Sequence, residues 1–363
     1  MKTKLPETSV LSLLLICSGA AHAADGSCRD APGAHGDVRI VTAAAKNLAK
    51  VLDATENSAL HRPLDRASAI RWSNLPIALV PRTGLRIGDL DAAKSAAAHE
   101  LAEAALSVCG LTLFDEIRLA DDALVPLDKR KIGWGGGNYY LTILGTPSER
   151  TPWMLQIGGH HLAYNFTFNG ARDGATPLFF GTEPIRFTTS GVEHEPLAAQ
   201  STAMSNLARV LAAHAPAKLS GTFTDVVKGV VFEMSPTPKG GTDTGFPQQY
   251  PSGDADRGIL YSALPAPEQA LVRAALESYA SLPGDAITRT LVAAYEAPEA
   301  LAQTYVGYSG AVDLSAKGSY VRIDGPRIWM EFVVQPAVAI PTDLHYHALW
   351  RDKQSDYGGQ FRQ

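Results

Sequence analysis

Cysteine is scarce in this 363-residue chain, with three in all, at positions 17, 28 and 109. No C-x-x-C and no Cys-rich spacing occurs, which excludes zinc-finger and thioredoxin-type readings. Charge is modest too: 32 basic against 37 acidic residues give a net −5. Without a basic surplus there is no electrostatic footprint for nucleic acid or an anionic membrane, and neither is expected as a partner. Missing as well is any uninterrupted apolar run of the roughly 18 residues that a membrane helix requires. Several catalytic signatures fail by a residue or two. The glycine-rich 133–137 segment lacks the Lys-Ser/Thr ending of a P-loop and the G-x-G-x-x-G spacing of a dinucleotide loop, so it reads as a turn before a strand. His99-Glu100-Leu101-Ala102-Glu103 has Glu where the second histidine of a zinc-protease helix belongs. Ser309, in Gly307-Tyr308-Ser309-Gly310-Ala311, misses the G-x-S-x-G elbow, and no serine-hydrolase triad is evident.

What is present begins with a leader. Lys2 and Lys4 precede an apolar stretch over 10–16 and small residues ending in Ala21-His22-Ala23, the layout of a secretory signal peptide cleaved after Ala23. Cys17 follows Ile16 rather than a small residue, so no lipid anchor is expected. The mature protein is expected to be extracytoplasmic. Its roughly 340 residues allow one large domain or two ordinary ones. In that compartment Cys28 and Cys109 either pair as one disulfide or remain as two thiols, depending on whether their Cα atoms come within reach.

Periodicity then divides the chain. Val41, Ala44, Ala45, Leu48, Val51 and Leu52 predict a helix over 37–57. A second helix is expected from an Asp89 N-cap to a stop at Gly110, and a third from a Thr112 cap. Strands rich in aromatic and branched residues are expected over 139–144, 153–157 and 162–168, with a turn at Asn169-Gly170. Helical spacing returns over 193–214, followed by a strand over 226–234. The aperiodic 235–258 segment reads as a long loop. Helices over 266–281 and 286–303 and strands over 304–312, 318–324, 327–334 and 343–350 complete the chain. No repeat or linker divides it. Helices and antiparallel strands in blocks imply one α+β domain, with helices at the N-terminus and a helical pair inserted before the C-terminal strands.

Histidine placement carries the chemistry. Four of the ten histidines form two pairs, His160-His161 after Gly158-Gly159, and His345-Tyr346-His347. Residues two apart on a strand share a face, so His345 and His347 project together. His160 and His161, being adjacent, would point oppositely on a regular strand, and at most one joins the site unless the Gly-Gly step bends the backbone into a bulge. Imidazole is the commonest ligand for zinc, copper and iron, so a divalent ion of one of these kinds is the expected cofactor. The competing reading is a polar cleft lined by hydrogen-bonded histidines without an ion.

The runs Arg71-Trp72-Ser73-Asn74, Gly145-Thr146-Pro147-Ser148, WMLQIGGHHLAYN (153–165), Phe180-Gly181-Thr182-Glu183-Pro184 and HYHALWRDKQSDYG (345–358) resemble blocks of the DUF3500 family, a group of proteins of unassigned function. The resemblance spans nearly the whole mature chain and departs at the glycine-rich 133–137 segment. It implies a single-domain unit with the four histidines, Gln156, Asn165, Glu331, Arg351, Asp352 and Asp356 at motif positions. Beside it stand the residues' own properties. Arg351 shares a face with His345 and His347 and is either an anchor for a ligand carboxylate or phosphate, or a salt-bridge partner of Asp352, Asp356 or Glu331. Glu331, in an apolar strand, needs a cation, an Arg or a proton, as metal ligand, orienter of a histidine or general base. Gln156 and Asn165 are expected to orient a small-molecule ligand or to cap strands. The leading expectation is an exported metal-dependent enzyme, hydrolytic with zinc or oxidative with copper or iron, acting on a small or anionic substrate. The alternative is a non-catalytic metal- or ligand-binding protein.

Overall fold

The structure, a computed structural model, describes residues 35–228 and 250–361. The leader, Cys28 and residues 229–249 lie outside the described residues, and with them the expected cleavage site, the bridge to Cys109, and the larger part of the expected strand over 226–234 and loop over 235–258. Residues 226–228, which are described, form a turn rather than a strand. No helix among the described residues is long and apolar enough to cross a membrane.

The architecture is α+β. Helices α1 (Val38–Val51) and α2 (Ala54–Leu60) lead into the short strand β1 (His61–Arg62), helix α3 (Arg66–Ala69) and strand β2 (Leu85–Arg86). Then come α4 (Ala92–Ala105), α5 (Val108–Leu124) and a four-stranded run, β3 (Tyr140–Leu144), β4 (Trp153–Gly159), β5 (Leu162–Phe168) and β6 (Leu178–Thr182). A small hairpin, β7 (Phe187–Thr189) and β8 (Val192–His194), and helix α6 (Ala198–Leu211) follow. The last third holds β9 (Ile259–Leu260), helices α7 (Ala266–Ala280), α8 (Asp285–Glu296) and α9 (Pro298–Leu301), and β10 (Tyr305–Ser309), β11 (Tyr320–Asp324), β12 (Ile328–Pro336) and β13 (Leu344–Asp352).

Eleven strands form one sheet in the order β1-β3-β4-β5-β6-β13-β12-β11-β10-β9, with β2 on β3. It comprises two antiparallel meanders, β3 to β6 and β10 to β13, each preceded by a helix pair and joined where β6 meets β13. Residues paired across an antiparallel ladder share a face. One row across eight strands reads Leu141, Ile157, Tyr164, Leu178, Trp350, Met330, Ile323 and Val306, all buried in the main core with the helices. The opposite face carries Gln156, Asn165, His347, Glu331, Arg322 and Arg351, also buried. Strands covered on both sides explain why their sequences run apolar instead of alternating cleanly.

Several boundaries differ from expectation: the helix expected over 193–214 is α6, preceded by β8, and that over 286–303 is divided into α8 and α9. The 37–57 helix is broken at Asp53, which caps α2 through a capping box with Glu56. The second helix starts from an Asp91 cap rather than Asp89 and ends at Ala105, and the third starts from Ser107 rather than Thr112. Gly110 is therefore inside α5, not a stop. It is glycine because the Leu282 carbonyl occupies the place of its Cβ. Strand β6 also escaped the periodicity analysis; only its phenylalanine-glycine motif stood out. Gly110→Ala should accordingly destabilise the protein by about 2 kcal/mol or more in urea unfolding, against a helix propensity that favours Ala by about 1 kcal/mol.

Candidate metal centre

His160 and His161 sit on no strand. They are the two-residue turn between β4 and β5, with His161 in the left-handed region at φ 60°. The expected bulge at the Gly-Gly step is replaced by this turn, which lets both rings lie on the same side, stacked with centroids 3.8 Å apart. The turn is pinned from two sides: the His161 N–H donates to the Asn74 carbonyl at 3.1 Å, and the Gly181 N–H donates to the His161 carbonyl at 2.8 Å. Both glycines before the turn lie close to packed neighbours. A Cβ on Gly159 would meet the Tyr139 ring at 2.6 Å.

His345 and His347 share a face of β13 as alternation requires, and their Nε2 atoms are 3.1 Å apart. The His161 ring lies 5.3 Å from that of His345 and 5.2 Å from that of His347. One nitrogen from each of these three residues falls within 4.8 Å of the other two, a group that can hold a metal ion. A tetrahedral zinc at about 2.0–2.1 Å from each nitrogen needs them about 3.4 Å apart, a small contraction. All three are 3–4 % exposed. Burial holds the His161 imidazole well below the usual histidine range, reinforced by the neighbouring histidines, and drives His345 down to about 2. Both are therefore neutral at ordinary pH, the form that binds an ion.

A second group joins His161 with His160 and Asp121. Asp121 on α5 went unnoticed in the sequence, since one aspartate in a helix carries no signal. Its carboxylate takes a 2.6 Å contact with His160 Nδ1 and a hydrogen bond from the Tyr139 hydroxyl at 3.2 Å. Asp225 likewise meets His347 Nδ1 at 2.9 Å, leaving Nε2 to face His345. A carboxylate on the far nitrogen fixes the tautomer and aim of a ligating imidazole.

Other site residues are placed elsewhere in the same face. Glu331 accepts from the Tyr320 hydroxyl at 2.6 Å and from the Val227 and Lys228 N–H groups at 2.6 and 2.9 Å, and burial pushes its carboxyl up. Arg351 pairs with Asp356 at 2.8 Å and donates through Nε to the Lys228 carbonyl at 2.7 Å. Together they clamp the 225–228 turn that brings Asp225 to His347. Asp352 is on the helix-covered side, paired with Arg327 and accepting from the Tyr295 hydroxyl. Gln156 donates to the Ala69 carbonyl and to Asn165, whose own amide donates to the Pro177 carbonyl. Neither Glu331 nor Asp352 belongs to either donor group. Glu183 is a further anchor: its buried carboxylate accepts from the N–H groups of Val338, Ala339 and Ile340 at 2.9, 2.5 and 3.2 Å, setting the loop that delivers His345.

Fold and site together define an α+β protein whose large, mostly antiparallel sheet carries a buried His/Asp cluster able to hold a metal ion. Residues 35–359 match the family described as protein of unknown function (DUF3500), and the chain belongs to that family. No curated protein and no solved structure matches it.

Two outcomes follow from this geometry. A Cβ on Gly181 would lie 2.6 Å from the Tyr346 carbonyl, 3.0 Å from the His347 ring and 3.2 Å from the His161 ring. Gly181→Ala should thus spread the three imidazoles and weaken ion binding by at least about tenfold, as followed by titration with cobalt or copper. The second concerns acid. His161 and His345 resist protonation when folded, whereas their unfolded counterparts titrate near 6.5, so the stability they contribute is present above about pH 6.5 and is lost as pH falls below it. His99, raised by Asp115, works in the opposite direction. For metal-stripped protein, His345→Asn should flatten the loss measured by urea unfolding between pH 6 and 5 by on the order of 1 kcal/mol per pH unit.

Proposed function

We propose that His161, His345 and His347 hold one divalent transition-metal ion and that the protein is an exported metal-dependent enzyme. One observation carries this reading: three buried imidazoles from two distant stretches converge to within 4.8 Å. Burying three such groups together is unfavourable without a common partner, and a shared ion satisfies all three at once. Three protein donors leave a tetrahedral position for water or substrate, the arrangement of catalytic rather than structural sites. The ion would supply Lewis acidity to a bound water if zinc, or a redox centre if copper or iron.

The chain's own residues supply the rest. Asp225 orients His347, and Glu331 with Arg351 holds Asp225 in place. His160, held through Nδ1 by Asp121, is the proton carrier, its other nitrogen available beside the stacked His161 ring. The leader of Lys2, Lys4 and Ala21-His22-Ala23 supports export, with a small molecule as substrate.

The mature protein from its own host, purified without chelator, should contain about one equivalent of zinc, copper or iron by elemental analysis. His345→Ala and His347→Ala should each lose it while retaining wild-type circular dichroism, since neither side chain is part of an apolar core. Azide or a hydroxamate should perturb the spectrum of the cobalt- or copper-loaded protein through the open position. A metal-free wild-type protein that takes up no ion on reconstitution would refute the centre, and an ion indifferent to both probes would favour a carrier over an enzyme.

A further inference from the structure

The polar face of the sheet holds a second cluster of charge, built on Trp329 at the far end of β12 from the imidazoles. Three cations lie within 6 Å of its indole ring: the Arg322 guanidinium at 4.9 Å, the Lys353 ammonium at 5.5 Å and the Lys228 ammonium at 5.9 Å. Tyr250 adds a second ring, 5.6 Å from the Lys228 ammonium and 4.9 Å from that of Lys353. Arg257 stands alongside, over Tyr305.

Among the described residues their counter-ions are too few. Asp324, fully buried, is shared by Arg257 and Lys353. Glu331 is committed to Tyr320 and two backbone N–H groups. Arg351 and Arg327 are already paired, with Asp356 and Asp352. Asp254 and Asp256 are exposed, and their carboxylates are engaged by the Tyr305 hydroxyl and the Ser220 N–H. That leaves, among the described residues, four cations facing two inner carboxylates. Arg322 is 4 % exposed, donates once, to the Asp256 carbonyl, and has a buried Nε with no acceptor. No acceptor among the described residues reaches the Lys228 ammonium. A buried guanidinium nitrogen without an acceptor, beside further cations, is costly, and an aromatic face compensates only part of that cost.

From this imbalance we infer that Lys228, Arg322 and Lys353 form a binding site for a dianionic oxyanion of the phosphate class. The surplus of two positive charges matches a phosphate dianion better than a carboxylate, and guanidinium and ammonium donors on two sides suit its tetrahedral oxygens. The inference is independent of the metal reading, because none of these residues belongs to the imidazole group. It also relocates anion recognition from Arg351, which Asp356 occupies.

The test uses metal-stripped, full-length mature protein and inorganic phosphate as the probe, at constant ionic strength with chloride and acetate as controls. Phosphate should bind saturably by calorimetry and raise Tm where chloride and acetate do not. Lys228→Gln should weaken phosphate binding by at least about tenfold, and Lys228→Arg, which keeps the charge, should largely retain it. His347→Ala, which removes the proposed metal centre, should bind phosphate as the wild type does. Equal Tm shifts from phosphate and chloride, or wild-type binding by Lys228→Gln, would overturn the site. Should Lys228→Gln not fold, Lys353→Gln serves in its place, with the same two outcomes.

Discussion

The pairing of β6 with β13 is the contact on which the rest of the molecule depends. It joins the two meanders into one sheet, and it sets Gly181 opposite His347. Because Gly181 has no side chain, the rings of His347 and His161 can close over it, and the Gly181 N–H holds the turn that carries His161. A single residue thus serves the ladder, the turn and the approach of the imidazoles.

The two faces of the sheet meet different constraints. The helix-covered face is a largely apolar layer, and hydrophobic burial there supplies most of the stability. The other face is buried as well but mixes apolar residues with many polar groups, each of which must find a partner. Most do so through short connections: Gln156 and Asn165 through the 69 and 177 carbonyls, Glu331 and Arg351 through the 225–228 turn, Glu183 through the 338–340 loop. Polar side chains on this face therefore double as fasteners for the segments that cover it. The family blocks around Trp72, Glu183 and Asp356 occur where these fasteners attach.

Much of this was legible in the sequence. The α+β class and most strands followed from blocks of helical and extended periodicity, and two-residue alternation was enough to place His345, His347 and Arg351 on one face. What stayed hidden was long-range. No local pattern shows that Gly110 lies under the Leu282 carbonyl, so a glycine inside a helix looked like its end. Strand β6 is short, and its pairing partner lies far along the chain. Asp121 and Asp225 gain their meaning only from tertiary contact with His160 and His347. The adjacent histidines also misled: a strand would separate them, whereas a two-residue turn stacks them.

The strand order has a consequence for how the chain matures. Strand β13 is the last of the described strands in chain order, yet it lies in the middle of the sheet, between β6 and β12. Until it inserts, β6 and β12 present open edges, the exposed state that favours aggregation during synthesis. The same insertion brings two of the three imidazoles to the third. The three-imidazole group able to hold an ion is therefore complete only once β13 has paired with β6.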